Sequence, residues 1–175
     1  MYVFTSERLG FRNWQDTDIE PMAAINADPE VMRYFPVLQD QDQTKAFIGR
    51  MQDMYADKGF CYFAVDFLES SEFIGFIGLS IPKYDAHFTP CIDIGWRLAK
   101  RFWGKGYATE GAVACLKYGF ETLQLGEIVA TCPAINTPSE DVMIKSGMTF
   151  SGLFLHPLLG NAPHLQQCKL YKISR

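Results

Sequence analysis

The feature that most constrains this chain is the stretch CIDIGWRLAKRFWGKGYATEGAVACLKYGF, in which a turn with two glycines joins a strand pattern to a helix pattern. Residues 91–98 are typical of a strand, and the apolar spacing that follows predicts a helix over residues 107–123. A helix start normally favours a polar cap, and glycine there costs backbone entropy. Gly104 and Gly106 therefore indicate either a turn that needs glycine conformations or a ligand that approaches the backbone closely.

The same turn is suited to a diphosphate. The first turn of a helix has free N–H groups at the positive end of the helix dipole, and glycines leave room for an anion to reach them. Arg101 and Lys105 add positive charge. The P-loop pattern GxxxxGK[ST] is absent, and the dinucleotide pattern GxGxxG fails at Thr109, so neither of those nucleotide-binding classes is predicted.

The remaining chain predicts one mixed α/β domain over residues 1–175. The middle strands form an antiparallel meander, and a β-α-β unit follows it. Strands are expected at residues 6–14, 60–67, 73–81, 91–98, 127–132, 148–155 and 165–173. Helices are expected at residues 19–26, 41–58, 107–123 and 136–146.

Composition narrows the function classes. The net charge of −4 disfavours a general nucleic-acid surface, and the chain has no apolar run long enough to span a membrane. The five cysteines are scattered and form no CxxC pair, which disfavours a disulfide scaffold and a zinc site. We therefore expect a cytoplasmic protein with no metal ion and with neither a nucleic acid nor a membrane as its partner.

The pattern R-x-x-G-x-G at residues 101–106 resembles that of the GNAT superfamily of acyl-CoA-dependent N-acetyltransferases. GWRLAKRFWGKGYATEG is close to the form of the ribosomal-protein N-terminal acetyltransferase (RimJ/RimL-like) branch, and TSERLGFRNW, DPEVMRYFP, NTPSEDVMIKSGM and CKLYKISR are also similar to it. These matches span almost the whole chain. The expected fold is a mostly antiparallel central sheet of about 6–7 strands with about 4 helices, splayed between the fourth and fifth strands.

The resemblance implies acetyl-CoA as the co-substrate, with its pyrophosphate on the main-chain amides of the glycine turn. The pantetheine arm would lie along the strand before the turn, and an N–H group of Arg97 or Leu98 would bind the thioester carbonyl oxygen. Asn136 would contact the pantetheine arm or serve as a simple N-cap. The expected cofactor-binding residues are Trp96, Arg97, Leu98, Arg101, Phe102, Trp103, Gly104, Lys105, Gly106, Ala108, Thr109 and Asn136.

Acetyl transfer to an amine requires a neutral amine, a polarised thioester carbonyl and a protonated leaving thiolate. The resemblance makes Ser139 a candidate proton donor to the sulfur, with water as the alternative, because its helix lacks the tyrosine that many relatives use. Asp93 is the candidate base, and Glu110 is a second acidic candidate for which a structural or capping role is favoured. Cys132 has no histidine beside it in the sequence, so a buried thiol is expected there rather than a nucleophile.

The predicted function is acetyl transfer from acetyl-CoA by direct attack of a primary amine, which is either a protein N-terminus or a small-molecule amine. The alternative is a non-catalytic acyl-CoA-binding module of the same fold. Tyr34, Phe35, Pro36 and residues 37–42 are expected to border the acceptor pocket. A monomer and a homodimer both fit this prediction.

Overall fold

A computed structural model of the chain describes residues 1–175 and contains one eight-stranded sheet. The sheet order is β1-β2-β3-β4-β5-β6-β8-β7. The strands are β1 (Phe4–Thr5), β2 (Leu9–Arg12), β3 (Tyr62–Phe67), β4 (Glu72–Ser80), β5 (Asp93–Leu98), β6 (Glu127–Pro133), β7 (Thr149–Leu155) and β8 (Gln167–Ser174). All neighbours pair antiparallel except β5 and β6, which are parallel.

Five helices connect these strands: α1 (Ile19–Ala27), α2 (Gln41–Lys58), α3 (Tyr107–Lys117), α4 (Thr137–Lys145) and α5 (Pro163–Gln166). The caps of α2 show how local sequence sets its limits. Asp40 and Gln43 form a reciprocal capping box at its start, and Gly59 ends it with a φ of 76°. The predicted bounds of this helix are therefore confirmed.

The predicted mixed α/β fold with a mostly antiparallel sheet is confirmed, and three details differ. Strand β1 has only two residues, which is too short to produce an apolar period, so the sheet has eight strands rather than 6–7. The helix expected over residues 107–123 ends at Lys117 and continues as a π-helical turn over Tyr118–Thr122. The last strand begins later than expected, because Pro163 starts the short helix α5.

Helices pack on both faces of the sheet. On one face α3 lies so close to β4 that a Cβ atom on Gly111 would be 2.3 Å from the side chain of Ile77. On the opposite face the ring of Phe47 from α2 lies 5.4 Å from the ring of Phe76 in β4. Because neighbouring residues of a strand point to opposite faces, α2 and α3 lie on opposite sides of β4.

The two edges of β5 are paired very differently. Toward β4, the register runs without interruption from Asp93–Ser80 to Leu98–Gly75. Toward β6, the only register pair is Asp93 with Val129. Beyond that pair β5 and β6 separate. These two strands are the fourth and fifth of the predicted strands, because β1 was not among those predicted. The predicted splay is therefore confirmed.

Candidate active site

A cavity of about 580 Å³ opens where β5 and β6 separate. It reaches both faces of the sheet, from α3 and α4 on one side to α2 and the segment between α1 and α2 on the other. Of the predicted cofactor-binding and catalytic residues, only Arg101 and Lys105 are absent from its wall. The predicted site residues that line it are Asp93, Trp96, Arg97, Leu98, Phe102, Trp103, Gly104, Gly106, Ala108, Thr109, Asn136 and Ser139.

The β5 edge presents main-chain groups to this gap. The Ile92 carbonyl accepts from the Val129 N–H at 2.9 Å, and the Ala99 N–H donates to β4, at Ile74, at 2.9 Å. Because successive residues of a strand turn their N–H and C=O groups to alternate edges, the amides of Trp96 and Leu98 face the gap. The N–H of Arg97 faces β4. Of the two N–H groups predicted to bind the thioester carbonyl oxygen, only that of Leu98 therefore has a suitable orientation.

The glycine turn has a conformation that only glycine adopts easily. Gly104 and Gly106 have φ values of 71° and 82°, in the left-handed region. Helix α3 has no side-chain N-cap, and its first backbone bond is Glu110 N–H to the Gly106 carbonyl at 3.0 Å. The consecutive N–H groups from Gly104 to Thr109 therefore donate to no protein acceptor, an arrangement that suits an anion.

Neither of the two basic side chains of the turn lines the cavity. The Arg101 guanidinium forms an ion pair with Glu72 at the start of β4. The Lys105 ammonium lies 5.8 Å from the centre of the Phe102 ring, and the Lys105 carbonyl accepts from the Arg8 guanidinium at 3.2 Å. Their predicted cofactor contacts stay predictions.

Glu110 ties the glycine turn to the N-terminal strand. Its carboxylate accepts from the Ser6 hydroxyl at 2.6 Å, from the Arg8 N–H at 2.8 Å and from Arg8 Nε at 2.6 Å. Burial acts to raise the pKa of Glu110, but these hydrogen bonds and the Arg8 charge outweigh it and leave the pKa below its ordinary value. Glu110 is therefore a structural anion rather than a base.

Asn136 and Ser139 face the cavity from the start of α4. The Asn136 side-chain oxygen accepts from the Ser139 N–H at 3.2 Å, which makes Asn136 the N-cap of α4. The cap uses the main-chain N–H of Ser139 and not its side chain, so the Ser139 hydroxyl is free in the cavity wall. Nearby, burial raises the pKa of Cys132 to about 12, so its side chain is a thiol and a poor nucleophile at neutral pH.

Asp93 is partly buried at the point where β5 and β6 begin to separate. Burial raises the pKa of Asp93 to about 7, although the Tyr62 hydroxyl, which donates to Oδ2 at 2.7 Å, acts against this. The other carboxylate oxygen, Oδ1, has no hydrogen-bond partner. A carboxylate in this state can accept a proton near neutral pH.

The α1–α2 side of the cavity is aromatic, and Arg97 is a cation within it. Its Nη1 donates to the Asn26 side-chain oxygen at 2.6 Å, and its guanidinium lies 4.1 Å from the centre of the Phe35 ring. Tyr34, Phe35 and Gln39 line the cavity as part of the segment predicted to border the acceptor pocket. Pro36 and the other residues of that segment do not line it.

Several functional contacts were not foreseen from the sequence. Tyr62, Asn26 and Arg8 each contact a predicted site residue from an element far away in the chain. Each of these three residues lies in or beside a segment with an ordinary strand or helix pattern. No local motif marks any of them as a site residue. Only the pairing of β3 with β4, and of β4 with β5, brings Tyr62 beside Asp93.

The comparisons with known proteins agree with this geometry. Residues 8–149 match the family profile described as the acetyltransferase (GNAT) domain. The uncharacterized N-acetyltransferase YnaD of Bacillus subtilis is 36% identical over 152 residues, covering 86% of this chain and 84% of YnaD. The FsC-acetyl coenzyme A-N(2)-transacetylase of Aspergillus fumigatus is 30% identical, covering 86% and 67%. The chain belongs to the GNAT acetyltransferase family, which confirms the predicted family and enzyme class.

Solved structures show the same fold. A GNAT-family acetyltransferase from Bacillus anthracis has a TM-score of 0.81 and 30% identity, covering 97% of this chain and 96% of its own. A spermidine N-acetyltransferase from Vibrio cholerae in complex with CoA and spermine has a TM-score of 0.75 at 19% identity, covering 95% of each chain. RimL, a ribosomal L7/L12 alpha-N-protein acetyltransferase in complex with CoA, has a TM-score of 0.80 at 14% identity, covering 99% and 98%. The last two share the fold alone.

Two other classes of feature are absent from the structure. No group of three or more His, Cys, Asp and Glu side chains is arranged so that it could hold a metal ion. No helix combines the length and apolar character needed to cross a membrane.

Proposed function

We propose that this acetyltransferase transfers the acetyl group of acetyl-CoA to a primary amine that attacks the thioester directly. One observation carries the proposal: the free main-chain amides of Trp96 and Leu98 along the gap lead to the free N–H groups from Gly104 to Thr109. This row of donors matches an extended arm that ends in a diphosphate.

Different parts of the chain would bind different parts of acetyl-CoA. The glycine turn and the start of α3 would hold the diphosphate through N–H groups, with the helix dipole adding favourable potential. The edge of β5 would hold the pantetheine arm as an additional strand. When bound, acetyl-CoA supplies the acetyl group as a thioester.

Asp93 and Ser139 are the proposed proton acceptor and donor. The amine nitrogen forms a bond to the acetyl carbon as the carbon–sulfur bond breaks. The proton lost by nitrogen passes through water to Asp93, and the Ser139 hydroxyl relays a proton from water to the leaving sulfur. The Leu98 N–H would stabilise the negative charge that develops on the carbonyl oxygen.

The finer assignment is to the RimJ/RimL-like branch, with a protein N-terminus or a small-molecule amine as the acceptor. The resemblance of the long glycine-turn segment GWRLAKRFWGKGYATEG supports this branch. A non-catalytic acyl-CoA-binding module would use the same cofactor contacts but would need no basic carboxylate. The pKa of Asp93, at about 7, therefore favours the catalytic alternative.

An amine panel tests the proposal. Free-thiol release from acetyl-CoA is measured with amino acids, peptides and polyamines, and CoA affinity is measured separately by calorimetry. Amine-dependent thiol release with at least one acceptor is the expected result. CoA binding without release with any amine would indicate the non-catalytic module, and absence of CoA binding would overturn the proposal as a whole.

A further inference from the structure

The side chains of Arg12 and Arg97 are both partly buried, and only the first has carboxylate partners. Arg12 donates to both carboxylates of Asp18 and Asp66, at distances of 2.7 and 2.8 Å, and forms a compact charge cluster. Arg97 has no carboxylate within ion-pair distance. Because a guanidinium removed from water needs a counter-charge, Arg97 is an incomplete ion pair in the cavity wall.

The position of the Arg97 side chain is fixed by neutral groups. Its Nη1 donates to the Asn26 oxygen at 2.6 Å, and Asn26 in turn donates to the Thr44 hydroxyl at 2.9 Å. The guanidinium lies between the rings of Phe35 and Phe76, at 4.1 and 5.4 Å from their centres. This cradle orients the guanidinium but leaves its Nε without an acceptor.

The acidic side chains of the cavity wall, Glu30, Asp93 and Asp141, form no ion pair with Arg97. Glu30 lies 3.5 Å from the ammonium of Lys100 and is half-exposed. Asp93 is four residues away on the same face of β5, and Tyr62, whose ring lies over Gly95, stands between the two. Burial lowers the pKa of Arg97 to about 10, so the side chain is still a cation at neutral pH.

We propose that the acceptor carries a carboxylate as well as its amine, and that Arg97 binds this carboxylate while Asp93 receives the proton of the amine. The inference rests on the proposed function and names its substrate class. A guanidinium is the side chain whose planar donors fit a carboxylate best. The aromatic rings around it favour an apolar or aromatic acceptor, and the positive charge disfavours a polyamine.

Two acid–amide pairs test this proposal and separate the possible sources of the carboxylate. The first pair is phenylalanine and phenylalaninamide, and the second is the peptide amides Ala-Glu-Ala and Ala-Gln-Ala. Affinity for the CoA-bound protein is measured by calorimetry. In at least one pair the wild-type protein is expected to bind the acid at least about tenfold more tightly than the amide. Arg97→Gln is expected to reduce this ratio of affinities to about one.

The controls separate charge recognition from a structural role. Arg97→Lys keeps the charge but not the planar fork, so an intermediate ratio is expected. Arg50→Gln, an exposed position on α2, is expected to keep the wild-type ratio. If Arg97→Gln no longer binds CoA, the wild-type and Arg97→Lys ratios decide the test.

A wild-type ratio of about one in both pairs, or a preference that persists in Arg97→Gln, overturns the inference. So does tighter binding of spermidine than of either acid. Each of these results leaves CoA binding and amine-dependent thiol release intact. They are therefore distinguishable from a failure of the proposed function, which would show as a wild-type protein that binds no CoA or that releases no thiol with any amine.

Discussion

The two halves of the cavity present different kinds of groups to a ligand. On the α3–α4 side the donors are main-chain amides of β5 and of the glycine turn, which no side-chain substitution removes directly. On the α1–α2 side the polar groups are side chains, chiefly Asp93 and Arg97, set among aromatic rings. The main chain therefore determines which groups the first half presents to a ligand, whereas single side-chain substitutions can change those of the second half.

This division has a consequence for the family as a whole. A main-chain site recognises what all members share, a diphosphate and an extended arm. A site made of side chains is free to vary with the acceptor. Substitutions in the two halves should therefore separate into losses of cofactor affinity and losses of acceptor turnover.

The largest effect is expected on the acceptor side. Asp93→Asn removes the proposed proton acceptor, so kcat/KM for the amine should fall by about 10²–10⁴ at slightly alkaline pH. CoA affinity measured by calorimetry should stay at the wild-type value. Asp53→Asn, an exposed position on α2, is the matched control and should be fully active. Wild-type turnover in Asp93→Asn would show that water or another group accepts the proton.

The glycine turn gives the second-largest effect. Gly106→Val places a β-branched side chain at a φ of 82°, among the proposed diphosphate donors, and CoA affinity should fall by about 10–100-fold. Gly59→Val is a matched control because Gly59 has a φ of 76° at the end of α2, outside the cavity. It should lower thermal stability by a similar amount without changing CoA affinity. Equal CoA affinity in the two variants would contradict the diphosphate assignment.

The pH profile sharpens the assignment of Asp93. Its pKa, which burial raises to about 7, places the protonated and inactive form below neutral pH. Wild-type kcat/KM should therefore fall by about tenfold per pH unit below that value and level off above it. Asp93→Asn should lack this step while keeping any dependence that arises from the amine. The same profile in both proteins would assign the step to another group.

Ser139→Ala should have a smaller effect, because water in the cavity can replace a hydroxyl as a proton donor. The expected result is a decrease in kcat of about tenfold at unchanged CoA affinity. Ser151→Ala, an exposed position on β7, is the control and should retain the wild-type kcat. An unchanged kcat in Ser139→Ala would remove this hydroxyl from the mechanism.

The smallest effect is expected at Glu110, which supports the turn from outside the cavity. Glu110→Gln weakens the contacts to Ser6 and Arg8, and because Arg8 is 41% exposed, the loss of unfolding free energy should be about 1 kcal/mol. The pKa of Glu110 is lowered by folding, so its contribution is present above its ordinary pKa and is lost as the pH falls through the folded value. The stability difference between wild type and variant, followed by thermal unfolding, should therefore vanish in acid. A larger difference in acid than at neutral pH would contradict this.

The cofactor side was largely predictable from the sequence because its parts are contiguous. The glycines, the helix start and the preceding strand lie within one short stretch, so their local pattern determines where the free amides lie. The charge of Arg101 was visible in the same stretch, but its partner Glu72 was not, because that ion pair depends on how β4 lies beside the turn.

The acceptor side was only partly predictable. Asp93 was predicted from its strand as the base, whereas Arg97 was predicted only as a cofactor contact. What surrounds both side chains comes from α1, the α1–α2 segment and β3. The missing partner of Arg97 follows from tertiary packing, and no local pattern encodes it. The π-helical turn after Lys117 was missed for a related reason, since the apolar pattern continues through it unchanged.

The most direct test of the central claim follows individual main-chain amides by NMR hydrogen exchange with and without CoA. The amides of Trp96 and Leu98, which face the gap, and those from Gly104 to Thr109 should become protected when CoA binds. The Gly95 and Arg97 amides, which face β4, should be protected in both states. Protection that appears elsewhere, with Trp96, Leu98 and the glycine turn exchanging as fast as before, would contradict the account.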